Sequence, residues 1–149
     1  MKKFQFGLEA VQRLRGAAEK EAMADLARAL GTVRVLEATM TSIEDRRCSL
    51  LEVVETRFGT GELDVTWLER HHADLARLDG EEQRARVALV AARSSYEQAQ
   101  GRLRDRRAER RAIDVLEDKA RERHEEEFRR DEHLAMDEIA MQRHGRRSS

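Results

Sequence analysis

The chain has 149 residues, 40% of them charged, with 29 Lys and Arg set against 30 Asp and Glu and a mean hydropathy of −0.79. So polar a composition cannot enclose a spherical core of ordinary width, and a net charge of −1 argues against nucleic-acid binding or direct membrane-surface binding. One cysteine, Cys48, excludes an internal disulfide and fits a reducing cytosol.

No proline interrupts the sequence, and Ala, Leu, Arg and Glu dominate it, which favours long solvated helices. Met1-Lys2-Lys3-Phe4 looks like the start of a signal peptide, but Gln5, Glu9 and Gln12 interrupt any apolar stretch. No run approaches the roughly 18 apolar residues of a membrane span, so a protein that stays inside the cell is expected.

A first helix is predicted over about residues 4–57. Leu26, Ala29, Val33, Leu36, Met40, Ile43, Leu50 and Val54 alternate at spacings of three and four, with Arg47 at the one polar step, and so form a heptad seam. Leu8, Val11, Leu14, Ala18 and Ala22 make a stripe in another register, so a shift near Glu19 to Ala22 is expected. Gly59-Thr60-Gly61 centres a turn over about 58–62, and Thr66-Trp67-Leu68-Glu69 reads as a capping box for the next helix, with Asp64 as the alternative cap.

The second helix is predicted over about 63–143, followed by a disordered tail at 144–149. Leu68, His71, Leu75, Leu78, Glu82, Ala85, Leu89, Ala92, Tyr96, Ala99, Leu103, Arg106, Arg110 and Ile113 keep one register. Because the connection is short and neither stripe can be buried alone, the fold class is all-α: a single antiparallel coiled-coil hairpin spanning 1–149. Its core is assigned to Leu36, Met40, Ile43, Leu50, Val54, Leu68, Leu75, Leu78, Leu89, Tyr96, Leu103 and Ile113. At about 1.5 Å per residue the helices would measure roughly 80 and 120 Å, so the second should overhang. Pairing outward from Thr60 sets Phe4 and Phe6 beside 114–119 and leaves residues after about Glu122 unpartnered, with Phe128, Leu134, Met136, Ile139 and Met141 apolar among them.

Signatures of catalysis are missing. Gly59-Thr60-Gly61 lacks the Gly-Lys-Ser/Thr of a phosphate loop, and the five histidines include no pair at i,i+4, leaving His133 with Asp137 as the one ligand-like spacing. Cys48 has no nearby His or second Cys and reads as a buried or half-buried structural thiol. No cofactor or metal is expected, and the protein is read as not an enzyme. The basic run Arg102, Arg104, Arg106, Arg107, Arg110 and Arg111 is either a face for an acidic partner or a phosphate backbone, the protein partner being favoured, or a solvated face balanced by Glu122 to Glu127.

The N-terminal segment Phe4-Gln5-Phe6-Gly7-Leu8-Glu9-Ala10-Val11-Gln12-Arg13-Leu14-Arg15 resembles the opening of the flagellar export protein FliJ family, with two phenylalanines flanking one residue and then Leu-Glu and Leu-Arg pairs. Asp137-Glu138-Ile139-Ala140-Met141-Gln142-Arg143 is similar to the family's C-terminal pattern, whereas Gly7 and Gly16 depart from it. This resemblance implies a stalk-like coiled coil that binds the hexameric export ATPase and works with the export gate protein and export chaperones in type III protein export. It implies a cytoplasmic location at the inner-membrane face of the flagellar base, with the membrane reached only indirectly. The ATPase contact would fall on Phe4, Phe6, Arg13 and Arg15, and a gate or chaperone contact on Trp67, Glu69, Arg70 and His72. A virulence-system stalk and a generic coiled-coil scaffold are the alternatives.

Overall fold

The computed structural model describes residues 3–61 and 64–147, with side chains as far as His144. Its two elements are helices α1, Glu9–Thr60, and α2, Val65–Arg147, of 52 and 83 residues. They run antiparallel, since partners of α1 that lie earlier in the chain meet later residues of α2: Arg57 faces Trp67, Arg46 faces Glu81 and Glu37 faces Arg93.

Both helix starts differ from the sequence reading, for local reasons. α1 begins at Glu9 rather than Phe4, because the backbone turns at Gly7 and Leu8 and the Glu9 N–H donates to the Phe6 carbonyl at 3.2 Å. α2 takes the alternative cap. The Asp64 Oδ1 accepts from the Thr66 N–H at 3.4 Å and the Asp64 carbonyl accepts from Leu68 N–H at 3.0 Å, so Thr66 to Glu69 already lie inside the helix.

The turn is displaced as well. α1 continues through Gly59 and Thr60, and Gly61 takes the left-handed conformation at φ 73°, which a residue with a Cβ adopts only at a cost. Glu62 and Leu63, the remainder of the connection, lie outside the described residues. With the reversal moved later, Phe4 meets Arg121 and His124 instead of 114–119. At the far end α2 continues helical through Arg147, beyond the expected stop at 143; Ser148 and Ser149 lie outside the described residues.

Packing divides the chain into two units. The turn-proximal unit, Glu21–Leu103, holds the apolar seam, in which Ala22, Val33, Ile43, Leu78, Ala85, Leu89, Ala92, Ala99 and Leu103 are buried. Val33, Leu89 and Ala92 form one cluster with Leu36, Met40 and Tyr96, while Ile43, Leu78 and Ala85 form another with Met40 and Leu50. Val54, Leu68 and Leu75 are half-buried. Arg47 keeps its place in this seam by pairing with Asp79 and Glu82 of α2.

The terminal unit comprises residues 3–20 and 104–147. Here no register shift occurs: the inward face of α1 is Gln12, Arg15 and Glu19, in steps of three and four that lead on to Ala22 and Leu26. Leu8 and Leu14, assigned to the stripe from their hydrophobicity, are 39% and 68% exposed. Polar side chains occupy the seam instead, each with a partner on α2.

Candidate partner-binding surfaces

The N-terminal candidates divide by what they touch. Phe4 is half-buried, with the Arg121 guanidinium 5.6 Å from its ring centroid and the His124 ring edge-on at 5.6 Å. Phe6 is half-buried too, and both rings line an open cleft of about 430 Å³ with Lys3, Gln5, Glu9 and Glu117. Such a cleft can take an apolar side chain while its Lys3, Glu9 and Glu117 rim meets polar groups. Arg13 is exposed, whereas Arg15 is committed to Glu109 at 2.5 Å.

Behind the cleft lies the charged seam. Gln12 Nε2 donates to Asp114 at 3.2 Å and to Glu117 at 2.7 Å; Glu19 accepts from Arg110 at 2.6 Å and from Arg107 at 3.3 Å. The hydrogen bond from Arg110 holds the Glu19 carboxyl below its ordinary value of 4.5, outweighing burial, and Arg107 acts in the same direction. Glu109 is lowered first by its hydrogen bond from Arg106, and Glu82 by that from Arg47. The arginine-rich run is thus partly spent inside the molecule, through Arg106, Arg107 and Arg110.

These lowered carboxyls fix the sign of the acid response. A carboxyl whose pKa falls on folding adds stability fully above its unfolded value, and that stability is lost as pH drops through the folded one. The melting temperature is therefore expected to hold from about pH 7 to pH 5 and to fall below about pH 4.5. Glu19→Gln should melt lower at neutral pH and lose part of that acid slope, which circular dichroism measures; an unchanged slope would remove Glu19 from the account.

At the turn-proximal end, Trp67 stacks on His71 with ring centroids 4.3 Å apart and an interplanar angle of 25°, and the Arg57 guanidinium lies 4.3 Å from the indole centroid. A carbonyl only accepts, so His71 Nε2 carries the proton donated to Leu50 at 3.1 Å. Glu69, Arg70 and His72 are exposed. Helical spacing puts Trp67 with Arg70 on one flank of the seam and Glu69 with His72 on the other, so these four residues do not make one surface. A feature not apparent from the sequence lies nearby: a groove of about 470 Å³ over Leu50, Val53 and Leu78, with a charged rim that includes Arg46, Asp74 and Glu81. Its only sequence signal is Val53, an apolar residue just outside the heptad positions.

The model of the family described as flagellar FliJ protein matches residues 4–149. This chain belongs to the FliJ family. No individual curated protein and no solved structure matches it. Membership makes the chain a component of the flagellar type III export apparatus, in a family of structural, chaperone-like proteins rather than known enzymes.

Further features of this FliJ-family chain bear on what it can bind. Past His124, α2 is exposed from Glu125 to His144 except for half-buried Phe128, and Leu134, Met136, Ile139 and Met141 stand 52–73% exposed. The Arg129–Glu125 pair at 3.8 Å accompanies them. Cys48 is exposed, contrary to the expected buried thiol, because it sits one residue past the seam position Arg47 and is carried off the packed face. Among the described residues no group of three His, Cys, Asp or Glu is placed to hold a metal ion, and no helix is long and apolar enough to cross a membrane.

Proposed function

We propose that this FliJ-family chain is a stalk that binds the hexameric flagellar export ATPase through its terminal unit. The family match over residues 4–149 carries the reading. Phe4 and Phe6 supply an aromatic cleft of the kind that anchors protein interfaces, Arg13 is an exposed cation of the same unit, and the apolar residues of α2 past His124 are exposed as well. Arg15 contributes indirectly, by keeping α1 against α2 through Glu109.

The stalk couples the ATPase to the export gate protein and to substrate chaperones, at the cytoplasmic face of the inner membrane. For that second contact the groove over Leu50, Val53 and Leu78, continued by Trp67 and Arg70 on the same flank of α2, is a better-formed surface than Glu69 and His72. Co-purification tests the reading directly: the full chain should retain the export ATPase from the same cell. Failure to retain it, together with normal motility when the chain is deleted, would overturn the assignment.

A further inference from the structure

The change of seam chemistry along α1 has a consequence for how the hairpin moves. In the turn-proximal unit the buried side chains are all apolar, whereas in the terminal unit the one buried residue among those described is Glu19. Three residues of α1 make five polar contacts there: Gln12 to Asp114 and Glu117, Arg15 to Glu109, and Glu19 to Arg107 and Arg110. Their arginines are accessible to solvent, with side chains of Arg15, Arg107 and Arg110 39–49% exposed. At their accessible arginine ends these ion pairs weaken as salt shortens the screening length from about 10 Å at 0.1 M to about 3 Å at 1 M, most of all at Arg15–Glu109 and less at Glu19, whose side chain is 11% exposed, while apolar contact is not weakened in this way. Gly16 lowers the helix preference of the same arm, with nothing within 4 Å of where a Cβ would stand.

We propose that residues 3–20 form a salt-responsive clasp, which lets go of α2 when the Glu19 and Arg15 ion pairs are screened while the turn-proximal seam stays paired. Opening it frees Phe4 from Arg121 and His124 without unfolding the hairpin. Sub-global opening of this sort is read by amide hydrogen exchange.

The test is exchange on the full chain at about 0.05 and 1 M NaCl, a range that moves the screening length several-fold. Exchange over residues 9–20 should quicken by roughly tenfold and that over 29–50 should change little. Glu19→Leu with Arg110→Leu converts the central contact to an apolar layer and should abolish most of the salt response. Equal acceleration in both stretches, no acceleration over 9–20, or a full salt response in the double variant would each overturn the clasp. A second measurement stands independent of that variant's folding: spin labels at Ala17→Cys and Ala112→Cys, with exposed Cys48→Ser, should separate at high salt. An unchanged distance distribution would likewise overturn it.

Discussion

Ile43→Ala is expected to destabilise the hairpin by about 2 to 5 kcal/mol, the range for removing a large aliphatic side chain from a site that cannot collapse. Among the described residues Ile43 is the most enclosed large side chain, 1% exposed, and it packs with Leu78, Ala85, Met40 and Leu50. Two features keep the vacancy from closing. Ala85 has no reach with which to fill it, and one turn away Arg47 is tied to Asp79 and Glu82, which holds the helices at a fixed separation. Val35→Ala is the internal control: Val35 is 67% exposed, so its loss should cost no more than about 0.5 kcal/mol. Urea unfolding followed by circular dichroism measures both, and equal effects would mean that the seam does not run through Ile43.

Phe4→Ala combined with Phe6→Ala should weaken association with the export ATPase by on the order of 2 kcal/mol or more, enough to lose co-purification and to reduce swarming motility. Both residues precede Glu9, where α1 starts, so their removal leaves helical content nearly intact. What disappears is the aromatic lining of the cleft with Lys3, Glu9 and Glu117 and the rest of Phe4 on Arg121 and His124. Phe58→Ala removes an aromatic ring of the same size, 62% exposed, from the turn-proximal unit and should leave ATPase binding unchanged. Normal co-purification and normal motility of the double variant would remove the two phenylalanines from the contact.

The two predictions rest on parts of the molecule that the sequence reveals unequally. Between Leu26 and Val54 apolar residues recur at heptad steps, and hydrophobicity alone identifies the packed face, because burial there is driven by removal of apolar surface from water. Before Ala22 the same register continues through Glu19, Arg15 and Gln12, which a search for apolar stripes passes over in favour of Leu14, an exposed residue. A polar seam residue is recognisable only with its partner, and the partners Arg110, Glu109 and Asp114 lie about ninety to a hundred residues away in the chain. Turn chemistry was legible in kind: a glycine with positive φ reverses the chain and a side-chain oxygen caps α2, but which glycine and which oxygen depended on where α1 stopped. Among the contact candidates, Phe4 and Phe6 are brought together in one cleft, whereas Trp67 and His72 fall on opposite flanks of α2 because three-dimensional neighbours on a helix are spaced three or four apart.

The stack of Arg57, Trp67 and His71 gives the chain an optical gauge of its own. Trp67 is its single tryptophan, in contact with a cation and with an imidazole whose Nε2 is anchored to the Leu50 carbonyl across the hairpin. Indole emission therefore reports the neighbourhood of the turn and is silent about residues 3–20. With a ligand that has no tryptophan of its own, a shift in this emission marks a contact near the turn, so a fluorimeter reads that end of the chain without any label.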